Sequence, residues 1–290
     1  MRQRVTRSRE LVAGGRKPAV VARVMQISRQ AIYRTPTRRP PAQRRPATGT
    51  VDRAIVEVAK DNPTDGTRMV AALTSREINR PISRKRAQRV MRAEGLLQRH
   101  RPSGRRRRPG HFRVERPDQL WHMDMTSVWV AEHGWCYLNA AIDCCTREIA
   151  AWAIDVRCRA TEAIEVVKAG VAAHRIEPDQ LVLGTDNGTA YTSRPFRAQL
   201  SELGITHRRG GYRDPESQAF IESWFSKLKE REVWRAEYET LEDARAGVGA
   251  YIERYHHRPH QFLGYRTPKE VRQTWEDAQE ETERLRNHAA

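Results

Sequence analysis

The amino-acid sequence predicts an α/β protein: a mixed five-stranded sheet with flanking helices, preceded by small all-α modules. Beyond Pro117 the apolar runs follow the order β-β-β-α-β-α-β-α, which describes a sheet covered by helices. Ahead of Pro117, apolar residues recur at helical spacing in short blocks broken by proline and glycine. Charge divides at nearly the same place. Residues 1–116 hold 31 of the 53 Lys/Arg and 8 of the 36 Asp/Glu, so that segment is +23 and the remainder is −6.

A chain of 290 residues is long enough for one sizeable core and one or two small modules. The excess of +23 would release counterions from a phosphate backbone, and the carboxylate surplus behind it suits metal ions. A membrane surface is the competing partner for a basic front. However, no run approaches the roughly 18 apolar residues of a spanning helix, and no apolar block follows Met1. The expectation is a soluble protein, cytoplasmic or nucleoid-associated, with no membrane. Cys136, Cys144, Cys145 and Cys158 form no C-x-x-C pair, so they read as small buried hydrophobes in a reducing compartment, without zinc.

Residues 1–35 carry Val21, Ala22, Met25, Ile27 and Ile32, with Ser28 placed to cap a short helix through Tyr33. This is helix-turn-helix spacing, with Gln26 where such turns often have glycine. Arg29, Gln30 and Arg34 are its candidate DNA contacts; the alternative is a plain helical hairpin. Residues 36–50 form a Pro/Arg linker. Residues 51–99 predict a three-helix module: Val51 to Lys60, Thr67 to Ile78, and a helix capped by Ser83 that runs to Glu94 and is closed by Gly95. Ile55, Val58, Val70, Leu73, Val90 and Met91 face inward. Arg84, Lys85, Arg86 and Arg89 are candidate DNA contacts, or else a solvated basic face. Residues 100–116 are a basic tether in which Arg105, Arg106, Arg107 and Arg108 repel one another and gain most from phosphate between them.

From 117 to 275 the chain predicts the main domain. Leu120 to Val130, Trp135 to Asp143 and Glu148 to Val156 read as an antiparallel meander. A helix from Thr161 to His174, a strand from Leu181 to Thr185, a helix from Ser193 to Leu203 and a strand from Ile205 to Arg208 follow. Next comes a helix from about Gln218 to Trp234, with Ile221, Trp224, Phe225 and Leu228 as its apolar stripe. Closing helices are expected at Tyr251 to His256 and from Pro268 to Arg286, with 276–290 as a separate charged C-terminal segment.

Three acids stand out within that order. Alternation places Asp124 inside a strand surrounded by core residues, where an ionised carboxylate is costly unless paired or bound to a metal; by itself it reads sooner as a hydrogen-bonded strand aspartate than as a site residue. Asp186 ends an apolar strand and precedes Asn187-Gly188, a position used by functional groups and by ordinary turns alike. Glu222 sits at the edge of the apolar stripe, and 35 residues separate it from Asp186.

The run Trp121-His122-Met123-Asp124-Met125-Thr126, then Thr185-Asp186-Asn187-Gly188 with Tyr191, then Ser217 to Phe225 with Lys227-Leu228-Lys229, resembles the acid triad of retroviral-type integrases. In particular it looks like the second-frame transposase of the bacterial IS-three insertion-sequence family. Leu263-Gly264-Tyr265 and Thr267-Pro268 extend the resemblance, and it departs where Ser217-Gln218-Ala219 replaces the Asp-Asn-Ala common in that group. It implies an RNase H-like fold in which Asp124, Asp186 and Glu222 are catalytic and hold two Mg²⁺ (or Mn²⁺) ions. It also implies a Lys229 that binds a DNA phosphate, or is otherwise a solvated lysine. The implied activity is a polynucleotidyl transferase acting on double-stranded DNA, both terminal inverted repeats and target, as a homo-oligomer of at least a dimer. The integrases' zinc module is absent. His256, His257 and His260 read as surface or DNA-contacting residues. The alternative from another class is a DNA-binding regulator with an inactive transposase-derived domain; an RNase H-type nuclease is a third.

Overall fold

A computed structural model describes residues 2–33, 49–98, 114–210 and 219–289. The chain forms two compact units, Met1–Pro46 and Ala47–Ala290. Among the described residues no helix is long and apolar enough to cross a membrane.

The first unit holds α1 (Arg2–Ala13), α2 (Pro18–Val24) and α3 (Arg29–Tyr33). Val21, Ala22 and Ile32 are buried, with Leu11, Val12, Met25 and Ile27 packed against them. Sequence spacing gave α2 and α3 but missed α1, whose apolar content is low. Ser28 Oγ accepts from the Ala31 N–H at 3.2 Å, as its capping position requires. Gln26 has φ 52°, the left-handed geometry a glycine would take more easily, so this turn closes without one.

In the second unit α4 (Thr50–Asp61), α5 (Thr67–Glu77) and α6 (Arg84–Ala93) enclose Ile55, Val58, Val70, Val90 and Met91. Ser83 caps α6 through the Arg86 N–H. The sheet behind them has the order β3-β2-β1-β4-β5. β1 (Leu120–Val130), β2 (Gly134–Asp143) and β3 (Ile149–Asp155) are antiparallel; β4 (Val182–Thr185) runs parallel to β1, and β5 (Thr206–Arg209) parallel to β4. This is the RNase H-like arrangement. α7 (Ala160–His174) makes the crossover from β3 to β4, and the short α8 (Thr189–Thr192) with α9 (Arg194–Glu202) joins β4 to β5.

Alternation along β1 divides the core. Trp121 and Met123 pack with Val166, Val167, Phe196 and Leu200 under α7 and α9. Val128 and Val130 pack with Ile221, Trp224, Phe225 and Leu228 of α10 (Ala219–Leu228) and with Tyr251, Ile252 and Tyr255 of α11 (Leu241–His256). The start of the expected helix Gln218 to Trp234 lies outside the described residues, and from Ala219 on it is two pieces, α10 and a π-helical turn over Lys229–Val233. α11 starts ten residues before the expected Tyr251. α12 runs unbroken from Pro268 to Ala289, so the expected boundary at 275/276 falls inside one helix.

Ion pairs fasten the three-helix module to the core. Asp65, in the α4–α5 loop, is buried against Arg231 at 2.8 Å and against Arg258, which also donates to Asn62 Oδ1 at 3.1 Å. Arg76 of α5 donates twice to Glu270 of α12, at 2.6 and 2.8 Å. That guanidinium, together with the Thr267 N–H, holds the Glu270 carboxyl down to about 2 against a smaller opposing effect of burial. A depressed folded pKa adds stability above the unfolded value, and the contribution is lost as pH falls from about 4.5 toward 2. Both side chains are more than two-fifths exposed, so screening keeps it small. Glu270→Gln is expected to flatten this part of the acid limb in thermal melts, and an unchanged limb would exclude the linkage.

Candidate active site

Strand register brings the first two acids together. Met123 on β1 lies beside Thr185, the last residue of β4, so Asp124 and Asp186 follow one another at the end of a parallel ladder. Asp124 is half-buried and accepts from the Met125 N–H at 2.7 Å. Asp186 is exposed and turns one oxygen to the Gly188 N–H at 2.8 Å. Asn187 donates to the Gly210 carbonyl at 3.0 Å, and Gly210 N donates to the Thr185 carbonyl, which ties the ends of β4 and β5 at the site.

Glu222 is exposed in the first turn of α10, and the stripe Ile221, Trp224, Phe225 and Leu228 behind it is buried. The apolar face fixes the helix, and Glu222 is presented from its rim. Charge shows which groups share this space. Burial pushes the Asp124 carboxyl up to about 6; the charges of Asp186 and Glu222 push the same way, while the Met125 N–H and Lys229 oppose them. The Tyr191 phenol, bonded to Asn139 at 3.2 Å, is raised first by burial and then by Asp124 and Asp186.

Carboxylates are the hard oxygen donors that a divalent cation takes, and here one of the three is desolvated and repelled by the other two. Among the described residues, no three His, Cys, Asp or Glu side chains stand close enough together to hold a metal ion. One oxygen each of Asp124 and Asp186 is instead taken by a backbone N–H.

Other expected contacts are dispersed. Lys229 is half-buried at the start of the π turn, within electrostatic reach of Asp124. Arg29 and Gln30 are exposed on α3, and Arg84, Lys85 and Arg89 are exposed on α6. Arg86 is committed to Asp52 at 2.8 Å, and Arg89 approaches the same carboxylate at 3.5 Å. Arg34, Arg105, Arg106, Arg107 and Arg108 lie outside the described residues. His256 is half-buried and accepts from the Ile149 N–H at 3.0 Å, which makes it structural rather than a surface contact. Burial, then the charges of Lys227, Arg147 and Arg231, brings half-buried His260 down to about 4; His257 alone is exposed, beside Glu253. Cys136 and Cys144 are buried as expected, but Cys158 is exposed, with its Sγ at 2.8 Å from Met125 Sδ.

One supporting group escaped the sequence. The Arg147 guanidinium lies 3.3 Å from the centroid of the Phe220 ring, and His122 stacks on that ring with centroids 5.7 Å apart. Phe220 is two residues before Glu222, so this stack anchors the start of the helix that carries the acid. Arg147 comes from the β2–β3 turn, 73 positions earlier, a separation no local spacing reveals. Gly184 leaves room for the stack: a Cβ there would meet His122 Cδ2 at 2.8 Å. Gly184→Ala is expected to cost about 1–3 kcal/mol in urea unfolding by forcing that ring aside. A loss below about 0.5 kcal/mol would show that the ring yields freely.

The integrase core domain family matches residues 114–215, and a second family of the same description matches residues 203–268. The chain is similar to transposase InsD for insertion element IS2-9 of Escherichia coli (strain K12), with 27% identity over 285 residues, covering 92% of this chain and 93% of that one. It is also similar to the transposase for insertion sequence element IS904 of Lactococcus lactis subsp. lactis (strain IL1403), with 29% identity over 161 residues, covering 55% and 63%. Similar solved structures include an intasome chain of simian T-cell lymphotropic virus, at 17% identity, TM-score 0.47 and 74% coverage of each chain. The catalytic core domain of BIV integrase is another, at 23% identity, TM-score 0.40, and 56% and 98% coverage.

Proposed function

We propose, for a chain that matches the integrase core domain family over residues 114–215 and is similar over 92% of its length to an insertion-element transposase, that it is a DNA transposase of the IS-three type. It binds the terminal inverted repeats of its element, cuts one strand and joins the freed end to target DNA. The observation that carries this reading is the shared field of Asp124, Asp186, Glu222 and Lys229 at the end of the β1–β4 ladder. Asp124, Asp186 and Glu222 would hold two Mg²⁺ or Mn²⁺ ions, which when bound stabilise charge on the phosphoryl oxygens and sharpen the attacking oxygen.

The chain's own residues do the positioning. Asp124 is fixed by the strand and its Met125 hydrogen bond, Asp186 by the turn to Gly188, and Glu222 by the buried stripe and the Arg147–Phe220–His122 stack. Lys229 offers a cation to a scissile-strand phosphate. In cleavage, a water oxygen bonds to phosphorus, the 3′-oxygen departs with the electron pair and is protonated. In joining, that 3′-hydroxyl attacks a target phosphodiester, whose own 3′-oxygen leaves. No covalent enzyme intermediate is required. Exposed Arg29, Gln30, Arg84, Lys85 and Arg89 are the proposed duplex contacts.

A second reading, a DNA-binding regulator with an inactive core, is favoured by the absence of a closed three-acid cluster among the described residues. Duplexes ending in the element's inverted repeat, incubated with target DNA and Mg²⁺, separate the two. Strand-joined products support the transposase. Tight binding with no metal-dependent cleavage or joining supports the regulator. Two ends must be held at once, so the active complex is expected to be at least dimeric on DNA; a monomeric mass for that complex would contradict this.

A further inference from the structure

Away from the acids, the α4–α5 loop faces the π turn and α11 across a pocket of about 240 Å³. Four guanidiniums line it: Arg231, Arg235, Arg254 and Arg258. The acids around them are fewer than the cations they serve. Asp65 is shared by Arg231 and Arg258, and Glu232 takes Arg254 at 2.7 Å. Among the described residues Asp61 is the one carboxylate that itself lines the pocket, and it makes no ion pair there. Arg235 donates its Nε to the Glu230 carbonyl at 2.9 Å and, among the described residues, has no carboxylate within ion-pair distance. The Nε atoms of Arg231 and Arg258 are buried with no acceptor among those residues.

Lys227 belongs to the same field. Burial first, then the charges of Arg231 and Arg258, holds its ammonium below the usual lysine range. A small polar recess with surplus guanidinium donors suits a compact oxyanion. Guanidinium forks match phosphate oxygens in pairs, and a phosphate would supply the charge that one shared carboxylate does not. The pocket also lies where the helical module meets the segment following the catalytic helix, so a strand held by the module has a fixed point beside the core.

We infer that this arginine pocket seats a backbone phosphodiester of the DNA on which the protein acts. The inference rests on the proposed DNA-processing function and adds a contact outside the acid site. Arg235 is the residue to change, because it is exposed and joins no ion pair that fastens the module.

The test measures binding of the full-length chain to a short labelled duplex by fluorescence anisotropy, in EDTA, over a series of salt concentrations. Arg235→Ala is expected to weaken binding by about 3–10-fold and to reduce the slope of log affinity against log salt by about 1, with Arg235→Lys retaining most of the slope. A parallel arm follows the melting temperature with inorganic pyrophosphate. If parent, Arg235→Ala and Arg235→Glu share one affinity and one slope, the inference is overturned. It is also overturned if pyrophosphate stabilises the parent through Arg235 while duplex binding ignores that residue, because the pocket then serves a free anion. Lack of duplex binding by the parent overturns it as well. Duplex binding that depends on Arg235, in a parent that never joins strands, leaves the pocket standing and removes the transposase.

Discussion

Asp124→Asn is expected to lower Mg²⁺-dependent strand joining by about 10³-fold or more, equivalent to losing about 4 kcal/mol of charge stabilisation. The substitution keeps the size of the side chain and an oxygen that can accept from the Met125 N–H, so the strand is not disturbed. It removes the one carboxylate that is both desolvated and repelled by the other two. For that reason stability should move in the opposite direction to activity. A folded pKa raised to about 6 means that the ionised form costs stability at pH 7, and its removal should make the metal-free protein about 1–3 kcal/mol more stable. Activity is read as joined product and stability by urea unfolding. Undiminished joining would sink the assignment of Asp124, and a large loss of stability would show that the carboxylate is instead a structural partner.

Asp65→Ala carries the largest expected structural penalty. This side chain is 2% exposed and faces two guanidiniums that are themselves 22% and 24% exposed. Removing it leaves two partly buried cations facing one another, which is expected to cost about 3 kcal/mol, with the module loosening from the core before the sheet unfolds. Hydrogen exchange should show early loss of protection in α4, α5 and α6, with β1 and β2 retaining theirs. Asp65→Asn, which keeps an acceptor, should lose less. Stability within about 0.5 kcal/mol of the parent would show that the module is held mainly by other contacts.

Most of the sheet was legible because strands leave apolar runs. Leu120–Val130 was located to the residue, and the other strands to within one or two. The stripe on α10 was equally plain, since Ile221, Trp224, Phe225 and Leu228 repeat at helical spacing and are all buried. The first half of α11 is hidden in the sequence because Gly247 and Gly249 lower helix propensity. Gly247 is needed there, since a Cβ would meet Tyr238 Cε1 at 2.7 Å, while one at Gly249 would press on Trp152 Cζ2 at 3.3 Å and ask that ring to give by a few tenths of an ångström. Its start was nevertheless written in the chain, as the reciprocal cap between Thr240 and Asp243.

At the site, residue types in sequence order suggested the acids, and register supplies the reason that two of them meet. What had no local signature was long-range pairing. Arg76 with Glu270 and Arg258 with Asp65 join positions 194 and 193 residues apart, and any arginine on an exposed helix looks the same before folding. Arg86, a candidate DNA contact by its place on a basic helix, is likewise paired with Asp52, a partner 34 positions away that helix spacing does not reveal.

The π turn at Lys229–Val233 amounts to one residue wound in beyond what an α-helix would use. It acts as a phase shifter. Lys229 keeps the bearing of α10 and stays in the field of Asp124, whereas Arg231, two residues on, swings to Asp65 on another module. Were the same five residues wound as α-helix instead, everything beyond them would be turned by up to about 100°. Glu222 and its stripe would be untouched, but Arg231 would be aimed away from Asp65. In this stretch, the way the chain is wound therefore aims Arg231 at Asp65 as much as its sequence does.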